Sequence, residues 1–342
     1  MKLLIVTQAV DKNDPVLGFF HRWIEEFATH YEEVTVIALR VGTHTLPANV
    51  RIFSLGKDEG KGRFTYLVRF FRLIYTARNS YDAVFVHMNQ EYILLGGLLW
   101  KMLGKSVYLW RNHHAGNFLT DVAVSFSRKV FCTSRYSYTA KYTKTLIMPV
   151  GIDTQVFSSD SSYARKDNSL LMLGRIAPSK RIDIFLNTLS HLTNTITYEA
   201  TIVGDALPRD RSYADMLARR VAENHLPVTF HPGIQNEETV GVYRTHDVTI
   251  NCSSSGMYDK TIFEAMACGS LILASNKNLE GQINPLFIFK EGDVKDLASK
   301  LHHILSLADG EKNTYRKELQ SFVRDNHSLS ALGARLAEAL HI

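Results

Sequence analysis

The chain has 342 residues, 45% hydrophobic and 21% charged, with 39 Lys+Arg against 34 Asp+Glu for a formal net charge of +5. This length exceeds what one hydrophobic core ordinarily supports, and the composition is that of a globular protein, so two domains are expected. The three cysteines, Cys132, Cys252 and Cys268, have neither CxxC nor metal-ligand spacing. Their odd number argues against a disulfide framework and for a reducing compartment, so a cytoplasmic location is expected.

Charge is uneven along the chain. Residues 1–150 hold 19 Lys+Arg against 11 Asp+Glu, a net of +8, whereas residues 151–342 hold 20 against 23, a net of −3. A basic half beside a slightly acidic one points to an anionic partner for the first half alone. Zinc-finger spacing, an RNA-recognition aromatic motif and a long basic run are all missing from the sequence, so no nucleic-acid partner is expected.

The chain opens on Met1-Lys2-Leu3-Leu4-Ile5-Val6-Thr7, an apolar run too short for a signal peptide and read as a buried strand. Further strands are expected at 34–39, 50–54, 83–87, 107–110, 130–133 and 146–148. Helical patterns fall between most of them, including 20–30, 64–78 and 93–103. The longest apolar stretch, from Tyr92 to Trp100, is well short of a membrane span. The segment Met148-Pro149-Val150-Gly151-Ile152-Asp153 and the polar run after it break the rhythm, which places the domain boundary near residue 150. The pattern then restarts, with strands expected at 170–173, 199–203, 228–231, 248–251, 271–274 and 287–289. Helices are expected at 182–192, 213–224, 237–245, 261–267, 294–307, 313–324 and 329–340. Apolar strands alternating with helices imply two doubly wound α/β domains, 1–150 and 151–326, with a terminal helix over about 327–342 packing back on the first. Ligands in such sheets bind beyond the carboxyl ends of the strands, which makes a cleft between the two domains the default site.

Two segments carry chemistry. Gly174-Arg175-Ile176-Ala177-Pro178-Ser179-Lys180 follows the first strand of the second half. A glycine at a strand end permits close backbone approach, and two cations five residues apart suit a diphosphate in front of a helix start. The alternative is a solvated turn with incidental charges. The second segment runs from Ser253 through Gly256, Asp259, Lys260 and Glu264 to Gly269. Small polar residues there offer backbone N–H groups to an anionic or hydroxylated ligand, and Glu264 sits among apolar helical residues, where a carboxylate needs a partner. A ligand hydroxyl is one such partner; a nearby cation is the other.

Together these segments resemble the family-4 retaining GT-B glycosyltransferases, the glycosyl transferases group 1. Pro149-Val150-Gly151-Ile152-Asp153, followed by Phe157, is similar to the family's Pro-Asn-Gly-Val-Asp linker. Gly174 to Lys180 matches Gly-Arg-x-x-x-x-Lys, Val203-Gly204-Asp205 matches Val-Gly-Asp, and Pro232-Gly233 falls at the Phe-x-Gly turn. Glu264 to Gly269 matches Glu-Ala-Met-Ala-x-Gly, and Asp82 to His87 resembles the family's first-domain strand that ends in histidine. The resemblance implies a GT-B fold of two facing Rossmann-like domains. It also implies transfer of a hexose from a UDP- or GDP-sugar to a glycan or lipid-linked acceptor in cell-surface polysaccharide or glycolipid synthesis. Arg175 and Lys180 would bind the diphosphate and stabilise charge on the leaving nucleotide, and Glu264 would bond the ribose. His113, in Trp110-Arg111-Asn112-His113-His114, would meet the donor sugar or position the acceptor; the plainer alternative is a histidine that only lines the cleft. Gly174, Gly204 and Gly233 would shape the donor loops. The family's first signature glutamate falls on Gly256 here, leaving Asp259, Lys260 or backbone N–H groups for the donor sugar. Its N-terminal Gly-Gly loop is reduced to Gly18, within Asp14-Pro15-Val16-Leu17-Gly18. The chain has no Asp-x-Asp motif, so neither a metal nor another cofactor is expected.

Three rivals are weighed. A nicotinamide dehydrogenase lacks its G-x-G-x-x-G here. A nucleotide-sugar epimerase would need acid and base carboxylates that the motifs do not supply. A non-catalytic nucleotide-sugar binder would fit the loss at Gly256.

The helix over 63–75 adds a partner. Phe64, Leu67, Val68, Phe71, Ile74 and Tyr75 form a stripe at core spacing and are read as its buried face. Tyr66, Phe70 and Leu73, interleaved with Arg63, Arg69 and Arg72, are read as an outward face suited to peripheral contact with an anionic inner membrane surface. An interdomain or dimer contact, or simply a well-buried helix, is the alternative.

Overall fold

The structure is a computed structural model that describes residues 1–342 except 15, 193–195, 255 and 342. It divides into two compact units, Met1–Gly151 with Leu329–Ile342, and Ile152–Ser328.

The first unit runs β1 (Lys2–Val10), α1 (Phe19–His30), β2 (Glu33–Val41), β3 (Val50–Ser54), α2 (Arg63–Thr76), β4 (Ala83–His87), α3 (Glu91–Met102), β5 (Ser106–Trp110), α4 (Phe118–Phe126), β6 (Lys129–Cys132) and β7 (Thr145–Ile147). These strands form a parallel sheet in the order β3-β2-β1-β4-β5-β6-β7. Leu3, Leu4, Ile5 and Val6 of β1 are all buried, as a strand covered on both faces requires. One core lies on the α1 side, around Phe20, Trp23, Phe27 and Phe85; the other lies under α2, α3 and α4, around Phe70, Ile74, Ile93 and Trp100.

The second unit runs β8 (Lys166–Leu173), α5 (Ile182–Leu192), β9 (Glu199–Val203), α6 (Arg211–Glu223), β10 (Val228–His231), α7 (Thr239–Thr245), β11 (His246–Asn251), α8 (Lys260–Ala267), β12 (Leu271–Ala274), α9 (Val294–Leu305) and α10 (Asp309–Asn326). Its parallel sheet has the order β10-β9-β8-β11-β12. The last helix, α11 (Leu329–His341), belongs to the first unit. There Leu332 and Leu336 join the α1-side core, and the carbonyls of Leu340 and Ala339 accept from Tyr108 Oη at 3.2 Å and Lys129 Nζ at 2.9 Å. The chain thus carries the two doubly wound α/β units expected from its sequence.

Two expectations are corrected. Residues 287–289 do not form a strand. Asn284 Oδ1 accepts from the Leu286 N–H at 3.0 Å and closes a 3-10 turn over Pro285–Phe287, leaving only a single bridge from Ala274 to Ile288. Proline at the start of that turn has no N–H to give to a ladder.

The second correction turns α2 over. Phe70 is 1% exposed and lies between Tyr92 and Trp100, with ring centroids at 5.5 and 5.8 Å, while Tyr66 and Leu73 also pack against the core. Arg69 is engaged by Glu59 through two bonds, at 2.6 and 2.8 Å. Of the stripe expected inside, only Ile74 is buried; Phe64, Leu67, Val68, Phe71 and Tyr75 face outward. The helix is apolar on both faces, so the periodicity contained two acceptable stripes, and packing chose the one with Phe70 and Ile74 four residues apart.

Candidate functional site

In each sheet there is one place where neighbouring strands lead their connections in opposite directions, β1 with β4 and β8 with β11. Ligand crevices in open α/β sheets form at such points. In the second unit, a narrow crevice at β8 and β11 is lined by Leu173, Gly174, Arg175, Lys180, Asn251 and Ser253.

The sequence builds this crevice through its strand-end glycines. The chain leaves β8 at Gly174, whose N–H donates to Val203 O at 3.0 Å, and the Ile176 N–H donates to Asp205 O at 2.9 Å. A Cβ at Gly204 would lie 1.9 Å from Gly174 O, so only glycine lets the β9 turn touch the β8 turn. Gly233 joins the same row: its N–H donates to Asp205 Oδ1 at 3.1 Å, and a Cβ there would meet Asp205 Oδ2 at 2.6 Å. Gly204 and Gly233 therefore hold the loops that shape the crevice.

Lys180 ends a short 3-10 turn just before α5. It folds back so that its Cε would be 3.5 Å from a Cβ at Gly174, and its ammonium pairs with Asp259. Arg175 is exposed, and among the described residues its side chain has no ion pair or hydrogen bond. Asp259 immediately precedes α8 and caps it, accepting from the Thr261 N–H. Its Oδ2 also accepts from Asn251 Nδ2 at 3.0 Å and Ser253 Oγ at 3.3 Å. Burial pushes the Asp259 carboxyl up, but the Lys180 charge and the bonds from Lys180, Asn251 and Thr261 outweigh it and hold the group below its ordinary range.

Glu264 lies one turn into α8, 5% exposed. Its two oxygens accept from Asn236 Nδ2 at 3.3 Å and from Tyr243 Oη at 3.2 Å. Burial raises its pKa, and the charge of Lys260 and these two bonds only partly offset the rise. The Tyr243 hydroxyl is pushed well up by its own burial and then by the Glu264 charge. Lys260 opens α8 and is half-buried.

Gly256 has φ 128°, a backbone region that side chains rarely adopt. The loop around it is fixed by Asn278 Nδ2 donating to Gly256 O at 3.3 Å and Asn276 Nδ2 donating to Met257 O at 2.7 Å. Ser255, part of the same sequence segment, lies outside the described residues, as does Pro15 of the Gly18 loop.

The expected site residues divide between the units. Gly174, Arg175, Lys180, Gly204, Gly233, Gly256, Asp259, Lys260 and Glu264 all belong to the second. His113 and Gly18 belong to the first. His113 is exposed in the loop after β5, its ring stacked on His114 at 4.6 Å and its Nδ1 accepting from the Ala115 N–H at 3.0 Å. Gly18 precedes α1 and donates to Asp14 O at 2.9 Å; a Cβ there would meet Asp14 O at 2.7 Å.

Asn251, Asn236 and Tyr243 join the second-unit candidate site and are not singled out from sequence, whereas Ser253 and Asp205 stand in the quoted segments without an assigned role. Asn251 and Ser253 carried a signal, a polar strand end leading into the serine loop. Asn236 and Tyr243 carried none that is local. In the first unit, His87 sits at the β1–β4 point, its Nδ1 3.2 Å from Thr7 Oγ1 and its ring stacked on Phe20 at 3.8 Å.

These two sheets and the glycine-shaped crevice define the GT-B class of fold. Residues 167–307 match the family model described as Glycosyl transferases group 1, in agreement with the resemblance carried by the motifs. Among solved structures, Anabaena HepE in complex with UDP matches at TM-score 0.81 with 18% identity, covering 100% of both chains. A glycosyltransferase from Rickettsia africae matches at 0.79 with 15% identity, covering 99% of this chain and 98% of that one. Sucrose-phosphate synthase from Thermosynechococcus elongatus matches at 0.78 with 16% identity, covering 100% and 98%. At these identities the likeness is one of fold. No curated protein matches the chain.

Proposed function

We propose that the chain is a nucleotide-sugar-dependent, retaining glycosyltransferase. It moves a hexose from a UDP- or GDP-sugar to a glycan or lipid-linked acceptor in cell-surface polysaccharide or glycolipid synthesis, beside the inner face of a membrane. The observation that carries this reading is the crevice at the β8–β11 switch point, lined by Arg175, which is unpaired among the described residues, and by Lys180, folded over Gly174, with the buried carboxylate of Glu264 in α8, the helix that follows β11. Cleavage of the donor's C1–O bond leaves its electron pair on the diphosphate, and fixed cations stabilise that developing charge, often the largest single contribution to such catalysis. Arg175 and Lys180 take that role, and Glu264 accepts from the ribose hydroxyls. Asp259 positions Lys180, and the backbone around Gly256 with Lys260 meets the donor sugar. Gly18 and His113 serve the donor phosphate, donor sugar or acceptor from the first unit. With two cations for the diphosphate, the reading needs no metal and no other cofactor.

Uridine is the base to test first, because a structural neighbour was solved with UDP-glucose. A thermal-shift panel of UDP, GDP, UDP-hexoses and GDP-hexoses tests donor binding. A ligand at 100 times its Kd adds about 2.7 kcal/mol to the folded state, a clear rise in Tm. No response to any nucleoside diphosphate or nucleotide sugar would overturn the assignment. Retention is read from the anomeric configuration of the product made from an α-linked donor.

A further inference from the structure

We propose that the outer faces of α2 and α3 form a docking surface for an anionic lipid bilayer. This deepens the peripheral location in the proposed function, yet it rests on different residues from the donor site.

On α2 the outward residues are Phe64, at 79% exposure, with Leu67, Val68, Phe71 and Tyr75. They recur at intervals of three and four and so make one continuous stripe. The neighbouring α3 presents Leu95, Leu98 and Met102 at the same kind of spacing, the last two at 60% and 70% exposure. The two helices lie side by side over one core, because the inward Phe70 of α2 touches Tyr92 and Trp100 of α3. Eight large apolar side chains thus face away from the sheet on two adjacent helices, an unusual exposure for one surface.

Charge selects the occupant. Arg63 and Arg72 of α2 and Lys101 of α3 are exposed and have no ion pair or hydrogen bond from their side chains among the described residues. Arg78, just beyond α2, lies over the Tyr75 ring at 4.4 Å. Helix α2 contains no acidic residue, and α3 contains only Glu91. Apolar side chains among unpaired cations match the boundary of an anionic bilayer, where the chains enter the acyl region and the cations meet phosphate. A second copy fits poorly: a two-fold dimer sets the patch against its own copy, so the cations of one face would meet a face that carries the same cations and, on these two helices, no acid but Glu91. Among the described residues no helix is long and apolar enough to cross a membrane, so the contact proposed is peripheral.

Vesicle flotation tests the surface with phosphatidylglycerol-containing and pure phosphatidylcholine vesicles, at about 50 mM and about 500 mM salt, spanning strong and weak screening. The full chain is expected to float with the anionic vesicles at low salt and to be released at high salt. A Phe64→Ser/Leu98→Ser variant and an Arg63→Glu/Arg72→Glu variant should each lower vesicle affinity by about tenfold or more. Both should keep the wild-type Tm and its response to UDP. That response is the separate readout of the donor site, so failure of flotation with a normal UDP response overturns only the docking surface. Absence of flotation at low salt overturns the proposal, as does flotation indifferent to both variants. So does a solution dimer that the Phe64→Ser/Leu98→Ser variant converts to monomer.

Discussion

Replacing Glu264 by glutamine separates its service to a ligand from its service to the fold. Among the described residues the carboxylate accepts two bonds, from Asn236 at 3.3 Å and Tyr243 at 3.2 Å, both at the long end of the range. A glutamine keeps one acceptor oxygen, and its amide can donate to the Tyr243 hydroxyl, so the direct structural loss is within about 1 kcal/mol. Opposing it is the cost of burying the carboxylate, which raises the group's pKa in the folded state. For an acid with a raised folded pKa, the stability contribution is full below the unfolded value, near 4.3, and is lost as pH rises through the raised one. The Tm of the Glu264→Gln variant should therefore gain on wild type as pH goes from about 5 to about 8. Ribose hydroxyls donating to a charged acceptor are worth about 1.5–3 kcal/mol, so UDP should bind roughly 10- to 150-fold more weakly to the variant. Calorimetric titration with UDP and with its 2′,3′-dideoxy analogue reads this directly. The analogue, lacking those hydroxyls, should lose little. Equal losses for both ligands, or a variant Tm that falls relative to wild type with rising pH, would refute the reasoning.

Two further predictions concern the crevice. Arg175→Ala and Lys180→Ala should each weaken UDP binding by about 1–3 kcal/mol, but only Lys180→Ala should also lower Tm, because it leaves the Asp259 carboxylate without its cation; unchanged affinity in both, with the fold intact by circular dichroism, rules out the phosphate clamp. Gly204→Ala should cost more than about 2 kcal/mol and abolish UDP binding, because the added Cβ would sit 1.9 Å from Gly174 O. In contrast, Gly310→Ala in α10, where a Cβ meets nothing within 4 Å, should stabilise by about 0.5–1 kcal/mol in the same melting experiment.

Much of this was legible in the sequence, for a physical reason. A strand buried on both faces must be apolar throughout, so runs such as Leu271-Ile272-Leu273-Ala274 declare themselves, and the loops that follow them hold the site. Gly174 to Lys180 and Asp259 to Glu264 were found because each is contiguous and stands where parallel sheets bind ligands. The partners of those residues were not legible. Tyr243 and Asn236 reach Glu264 from α7 and the loop before it, and no short-range pattern announces a contact that only the sheet order creates. The rotation of α2 failed for a different reason: with apolar side chains on both faces, the period of the helix was plain while its phase was not. Burial of Phe70 between Tyr92 and Trp100 fixed that phase, and both of those residues lie in another element.

The pairing of Lys180 with Asp259 bears on how such a site is kept ready. A lone ammonium in a narrow crevice would carry a desolvation cost, and Asp259 offsets it while also capping α8. That carboxylate is itself held by Asn251 and Ser253, so Lys180 is aimed by a fixed anchor rather than by chance. Arg175 needs no such anchor, because it stays exposed and hydrated. The two cations are therefore prepared differently for the role proposed for them: Arg175 is available to a diphosphate from solvent, and Lys180 joins once the ligand's charge competes with Asp259. The loss of a glutamate at Gly256 fits this arrangement. At φ 128° that position favours glycine, and the backbone there is tied by the side chains of Asn276 and Asn278 to the turn after β12. Inserting a glutamate would strain that turn before its carboxylate could reach a sugar, so the loop is built around the glycine rather than damaged by it.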